Sequence, residues 1–372
     1  MEFTMSKVRI GILGLGAISG IYLKNLTGMF REVEITGIYD IIPEKIEAVK
    51  EEYGLTCAFS SMEEMLQSPD IDIILNLTRP YEHYDTTKAA LLAGKHVYSE
   101  KPLAATFEQG LELVKLAEEK DLMLGGAPDT FMGAGIQTCR KLIDSGFIGR
   151  PVGASAKMVC HGHESWHPSP AFYYQFGGGP MMDMGPYYLT ALINLLGSVE
   201  ELTGMTTKSF ETRTITSEPL YGQVVDVEVP THVNGILRFS NGAIGTITTT
   251  FDVFYDQQAH LEIYGTEGTL RVPDPNCFGG PIYLLRPEDG SFKEIPISFD
   301  YSENSRGLGI ADMAKALQSG RRARADYTQT LHVLEIMTAF EKSSMEGKNV
   351  KLTTKYERAD AMKRDQIRGI LD

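Results

Sequence analysis

Apolar and polar positions follow two different rhythms along this chain. In the first third, residues 8–13, 34–39, 71–76 and 96–99 form short apolar runs, and the stretches between them carry helical spacing. Runs without a polar side suit strands buried on both faces of a sheet. A further short strand is expected near Cys57, and residues 122–125 close the series. The helices mark their own ends. Pro43 opens one that runs to Tyr53, Ser61-x-x-Glu64 and Thr106-x-x-Gln109 read as capping boxes, and Gly94 stops the helix that follows Thr78-Arg79-Pro80-x-x-His83. Strand and helix alternating in this way build a parallel, doubly wound sheet.

From about Ala127 the rhythm changes. A helix over residues 133–145 leads into a strand-rich region at 152–159, 224–229, 233–239, 243–251, 260–264 and 269–272, with Asn241-Gly242 as a hairpin turn of the primed type. Strands in succession without helices between them pair antiparallel, so this part reads as an α+β unit on a mostly antiparallel sheet. Helical spacing returns at residues 308–317 and 331–340, and the charged tail from Lys355 reads as a solvated helix. The fold class is therefore α/β: a Rossmann-type parallel sheet over residues 5–127 and a second, α+β domain over residues 128–372.

Composition fits two cores of ordinary size, with 372 residues, 42% of them hydrophobic and 23% charged. A net charge of −14 argues against nucleic acid or an anionic membrane surface as the main partner. No apolar run approaches the roughly 20 residues that span a bilayer, and the start MEFTMSK lacks the apolar core of a signal peptide, so a cytoplasmic protein is expected. Met1 to Thr4 read as a vector remnant or an alternative start ahead of Met5. Cys57, Cys139, Cys160 and Cys277 form no C-x-x-C pair, so reduced thiols are expected.

Candidate chemistry begins where the first strand ends. In Gly14-x-Gly16-Ala17-Ile18-Ser19, Gly14 permits a tight turn, Gly16 lets backbone approach a pyrophosphate, and the next helix points its N–H groups at the phosphates. Asp40 closes the second strand, where a dinucleotide fold needs a carboxylate for the adenosine ribose hydroxyls. That predicts NAD over NADP, since Ile41, Ile42 and Pro43 offer a 2′-phosphate no cation and only Lys45 is near. The alternative is that Asp40 merely caps the helix at Pro43. Thr78, Pro80 and His83, and then Glu100 and Lys101, fall at the carboxyl ends of later strands, where such sheets bind ligands. His83 reads either as a cofactor contact or as a capping group.

In the second domain, Gly177-Gly178-Gly179-Pro180 leads into a helix that runs to Leu196, on which Asp183, Tyr187, Thr190 and Asn194 share the side opposite an apolar stripe. This sets a carboxylate beside a phenol, unless the side simply faces water. His161, His163 and His167 lie in HGHESWHPSP. His161 and His163 would share one face of an extended strand, but without cysteine ligands or a helical H-x-x-x-H no metal site is expected there. His163, Trp166 and His167 suit the lining of a sugar site, since such rings stack on and hydrogen-bond sugars; the plainer reading is a polar loop over the sheet. Tyr173 and Tyr174 share that ambiguity, and Asp129 and Thr130 read as a ligand contact or as a cap for the helix at Gly133.

Taken together, the Val8 to Ser19 loop, Asp40, Thr78-x-Pro80-x-x-His83, Glu100-Lys101-Pro102 and Gly-Gly-Gly-x-x-x-Asp183-x-Gly185-x-Tyr187 resemble the family of glucose-fructose oxidoreductases, inositol dehydrogenases and rhizopine-catabolism proteins. The resemblance covers nearly the whole chain. It implies a Rossmann domain followed by a domain with a large open sheet used for oligomer contacts, hence a homodimer or homotetramer. It assigns Lys101 to positioning the nicotinamide ribose and the reacting hydroxyl, with Tyr187 and Asp183 completing the catalytic set. Inositol dehydrogenase-like members carry histidine where this chain has Tyr187; members resembling glucose-fructose oxidoreductase carry tyrosine. A phenol titrates near 10 in water, so as a base it needs a cation such as Lys101 to lower that value. The implied activity is NAD-dependent hydride transfer at a sugar, polyol or sugar-acid hydroxyl. The alternatives are glycoside cleavage through transient oxidation by bound NAD, and a non-catalytic NAD- and sugar-binding regulator.

Overall fold

The structure, a computed structural model, describes residues 7–254, 260–364 and 368–372; Met1 to Thr4 lie outside them. The first sheet has five parallel strands in the order β2-β1-β3-β4-β5: β1 Val8–Leu13, β2 Val33–Tyr39, β3 Ile73–Asn76, β4 His96–Ser99 and β5 Leu124–Gly126. Four of its helices follow strands or loops as the spacing predicts: α1 Ser19–Gly28, α2 Pro43–Tyr53, α3 Met62–Gln67 and α4 His83–Leu92; the fifth, α5 Phe107–Glu119, has the full capping box between Thr106 and Gln109. At α3 the box is only half formed. Ser61 Oγ accepts from Glu64 N, but the Glu64 carboxylate reaches back to Ser60 instead. The strand expected near Cys57 shrinks to one bridge between Ile38 and Ala58.

The second sheet has nine strands in the order β15-β14-β13-β12-β6-β11-β10-β7-β16. These are β6 Pro151–Val159, β7 Val199–Thr207, β10 His232–Phe239, β11 Ile244–Thr250, β12 His260–Gly265, β13 Thr269–Val272, β14 Ile282–Leu285, β15 Lys293–Ile295 and β16 Val350–Lys351. All neighbours pair antiparallel except β6 and β11, which run parallel. The run expected over residues 224–229 is not in this sheet; its strand, β9 Val224–Asp226, pairs only with β8 Thr212–Thr214. At Asn241-Gly242 the hairpin forms, but only Gly242 has positive φ (+86°), so the turn is of the type with a bulge glycine rather than the primed type.

Five more α-helices follow among the described residues: α6 Ala134–Asp144, α7 Pro180–Asp183, α8 Gly185–Leu196, α9 Leu308–Ser319 and α10 Tyr327–Glu346. The single helix expected up to Leu196 is thus broken at Met184. Pro186 has no N–H to give the preceding turn, so α7 ends and α8 begins afresh. The polar side of α8 does not face water either. Tyr187, Thr190 and Asn194 are all buried, and Asn194 donates to Gln329 of α10 at 2.8 Å. Among the described residues the tail from Lys355 is not helical. Tyr356, Ala359 and Met362 sink into the core, while Arg140 and Arg324 donate to the carbonyls of Ala359 and Asp360, which holds that backbone extended.

Candidate active site

The nucleotide end is built on the turn after β1. Gly14 has φ +93°, and a Cβ there would lie 2.7 Å from Leu77 O, so only glycine fits; a Cβ on Gly16 would meet open space. Ser19 N and Oγ both donate to Gly16 O, which closes the loop onto the start of α1. Ala17 is exposed and Ile18 half-buried, on the rim of this turn. Asp40 does not cap α2. Its carboxylate accepts from Leu15 N at 2.7 Å and Ile42 N at 2.9 Å, so it ties the glycine loop to the end of β2. An ionised carboxylate has about four acceptor positions, which leaves room for ribose hydroxyls. Lys45 stands 3.5 Å from Asp40, and Arg79, not weighed in the sequence, also acts on it.

Thr78 is fixed by Asn76, whose Oδ1 accepts from both its N–H and its hydroxyl, and Pro80 opens a single 3-10 turn before α4. His83 is buried with its ring nitrogens 2.7 Å from Pro102 O and 3.0 Å from Thr78 O. Burial lowers its pKa. Its place is that of a clamp between two loops.

The two domains meet at Lys101. Glu100 is held by the Tyr22 hydroxyl and by Lys101 N, and this sets the direction of the next side chain. The Lys101 ammonium donates to Asp183 Oδ1 at 2.7 Å and to Asp183 O at 2.6 Å, and lies 5.3 Å from the centre of the Tyr187 ring. The break between α7 and α8 is what exposes that carbonyl. On its other side, Asp183 Oδ2 is 3.2 Å from His163 Nε2. Burial alone would raise the Asp183 pKa, but Lys101 and His163 outweigh it and hold it at about 2. Burial opposes charge on Lys101 too, yet Asp183 and Tyr187 raise its pKa. The ammonium therefore stays charged.

Tyr187 differs from the sequence-based expectation. Lys101 does lower its pKa, but burial is the larger effect, Glu100 adds to it, and the result lies above the ordinary value. The resting phenol keeps its proton at neutral pH. His163, Trp166, His167 and Tyr173 come together as edge-on rings at 4.3–5.4 Å, with Trp166 61% exposed at the rim. His161 turns away and stacks on Phe254 at 3.7 Å, because β6 stops at Val159. Among the described residues no group of three His, Cys, Asp or Glu side chains is placed to hold a metal ion.

Three features carry no signal in the sequence pattern. Arg213 on β8 bonds Glu164 at 2.9 Å, pairs with Asp252 and donates to Phe251 O, while Tyr174 bonds Glu164; together they pin the histidine loop to the sheet. Asp129 caps α9, not the helix at Gly133. Its Oδ2 accepts from Gly307 N at 2.9 Å and Gly309 N at 3.0 Å, and burial pushes its pKa up to about 6. Arg306, in the turn before α9, donates to Asn276 Oδ1 at 2.6 Å. Each of these pairs is far apart in the chain.

Comparison with known proteins agrees with this geometry. Residues 8–126 match the family described as "Oxidoreductase family, NAD-binding Rossmann fold", and residues 136–271 match the "GFO/IDH/MocA C-terminal domain". The chain is 24% identical over 264 residues to myo-inositol 2-dehydrogenase of Thermotoga maritima, covering 71% of this chain and 74% of that protein. It is 23% identical over 349 residues to scyllo-inositol 2-dehydrogenase (NAD(+)) of Bacillus subtilis, covering 94% and 97%. Among solved structures, levoglucosan dehydrogenase in complex with NADH and L-sorbose superposes with a TM-score of 0.81 at 19% identity, covering 94% of this chain and 99% of that one. That likeness is one of fold.

Proposed function

We propose that this chain, which belongs to the GFO/IDH/MocA oxidoreductase family, is an NAD-dependent dehydrogenase that moves hydride between the carbinol carbon of a sugar, polyol or sugar acid and nicotinamide C4. The observation that carries the reading is the junction at Lys101. A lysine from the end of β4 is paired with a carboxylate and lies over a phenol from the second domain. The open space at Gly16 and the spare acceptor positions of Asp40 fit a dinucleotide, with Gly14, Gly16, Ala17, Ile18, Asp40 and Thr78 around it. When bound, it supplies the hydride donor or acceptor.

The chain's own residues then handle the proton. Lys101, held by Asp183, hydrogen-bonds the substrate oxygen with its remaining N–H. Tyr187, protonated at neutral pH, gives its proton to that oxygen when a carbonyl is reduced. In the oxidative direction Tyr187 accepts the hydroxyl proton, and the rate rises as the pH approaches its raised pKa. His163 and Trp166 line the substrate side. Residues 5–127 form the nucleotide domain in this reading, and residues 128–372 supply the substrate site and the assembly surface. The test is NADH formation with myo-inositol, scyllo-inositol, D-xylose and levoglucosan, run beside NADP. Activity with NAD supports the reading. Release of aglycone from aryl glycosides without added nucleotide, and no net NADH, would favour the elimination chemistry.

The outer face of the second sheet supports a homodimer or homotetramer. Met205, Ile236 and Ile244, from three adjacent strands, are 79%, 48% and 48% exposed on one face, since Ile236 stands opposite Thr203 and Thr246. Ile236→Arg is expected to dissociate the oligomer in analytical ultracentrifugation; an unchanged sedimentation coefficient would exclude this face. No helix among the described residues is long and apolar enough to cross a membrane, which is consistent with a cytoplasmic enzyme.

A further inference from the structure

A series of rings leads away from Asp183. His163 Nε2 lies 3.2 Å from the Asp183 carboxylate, the Trp166 ring stands edge-on to His163 at 5.2 Å, and His167 stands edge-on to Trp166 at 5.4 Å. Exposure rises along it. The His163 side chain is 11% exposed, whereas Trp166, the chain's single tryptophan, is 61% exposed. Tyr173 packs on both histidines, at 4.3 and 5.3 Å, and Phe172 on His167 at 5.4 Å.

The loop that carries the indole is fixed. The N–H groups of Trp166 and His167 both donate to the His163 carbonyl, at 3.3 and 3.0 Å, and Ser217 Oγ donates to His167 O at 2.6 Å. Glu164, next to His163, is bonded by Arg213 at 2.9 Å. An exposed aromatic ring held in place by its own loop loses little freedom when a ligand covers it. Its neighbour supplies polarity. Ser169 N donates to His167 Nδ1 at 3.0 Å, and burial lowers the pKa of that ring, so it is neutral with its proton on Nε2. An aromatic face with an N–H donor beside it suits a sugar ring, which is apolar on its C–H faces and polar at its edge.

We propose that Trp166 and His167 form a second sugar subsite, so that the preferred substrate carries a further sugar ring joined by a glycosidic bond to the ring that is oxidised. This inference rests on the reading of Lys101 and Tyr187 as the proton-handling pair, which fixes the end of the substrate that reacts. A ring whose carbinol carbon lies against that pair meets Asp183 and His163 first. The indole is one ring contact further out, toward solvent, and takes the second ring. That ring has no part in hydride transfer, so the subsite acts through KM.

Two measurements test this. In the first, kcat/KM with NAD is compared for D-xylose against xylobiose and for myo-inositol against galactinol. In at least one pair the two-ring compound is expected to be used about tenfold better or more, through a lower KM, and Trp166→Ala should remove that advantage while single-ring values stay within about twofold. Trp166→Phe should recover part of it. In the second, the fluorescence of the single tryptophan is expected to change on titration with the favoured two-ring compound, without nucleotide, and not with its single-ring counterpart. Equal use of both members of each pair overturns the inference alone. So do equal losses for both in Trp166→Ala, since the indole would then line the reacting ring, and a lowered sedimentation coefficient of that variant, since the indole would then lie between copies of the chain. Absence of NADH with every compound overturns the dehydrogenase reading instead, and the fluorescence titration, which needs no turnover, then decides the subsite by itself.

Discussion

Lys101 is asked to do two things that compete, and its contacts show how they are reconciled. Charge on a largely buried ammonium is costly unless it is paired, and Asp183 provides the pair with both its carboxylate and its carbonyl. Lys101→Met is therefore expected to lose about a hundredfold or more in kcat, and also about 3 kcal/mol of stability, because it leaves Asp183 buried without its cation. Tyr187→Phe should cost a similar factor in kcat with little effect on the denaturation midpoint, since the ring and its packing remain. Steady-state kinetics and urea melts of the two variants separate the roles. These residues were legible in the sequence because each sits in a short motif with a mechanical reason for its spacing. Arg306 and Arg213 were not. Their partners lie at Asn276, Glu164 and Asp252, and no local pattern links positions so far apart.

Elements that are buried on both faces announced themselves, and those shaped by a partner did not. The four apolar runs of the first sheet became strands β1 to β4, whereas β7, with glutamates, threonines and a glycine, is built by its neighbours β10 and β16. The glycines explain part of this. Gly204 and Gly235 face each other across β7 and β10, and Phe340 of α10 fills the space above them. A Cβ on Gly235 would lie 2.0 Å from the Phe340 ring. Gly235→Ala should accordingly destabilise the chain by about 1–3 kcal/mol, and Phe340→Leu in the same chain should restore part of it. Equilibrium urea unfolding of the single and double variants measures the coupling; additive effects would mean that the ring and the glycine are independent. The break at Met184 was half visible, because Pro186 signals an interruption without saying on which side Asp183 will fall. Tyr356, Ala359 and Met362 recur every third residue, which a helix and an extended strap over the core can both use; the arginines that take the strap's carbonyls decide between them.

At the scale of the molecule, the two sheets are joined by more than the chain that runs between them. Residues from the far end of the chain return to the first sheet. Gly126 N donates to Ala325 O, Gly125 bridges Asp326, and Leu334 of α10 stands against Gly110 of α5. This brings α9 with its preceding turn, and hence Arg306, to the carboxyl end of the parallel strands, where Lys101 and Asp183 join the halves. In the proposed reading the glycine loop, Asp40 and the β4 end hold the dinucleotide, and the second domain supplies what reaches it. The central claim is that hydride moves directly between a carbinol carbon and the nicotinamide, with Tyr187 moving the proton. Incubation of the chain and NAD with the best substrate of the panel, deuterated at the reacting carbon, tests this most directly when the NADH formed is analysed for label at C4. The account predicts deuterium at C4 on one face, abolished in Tyr187→Phe. NADH without label, or labelled NADH formed equally well by Tyr187→Phe, would contradict it.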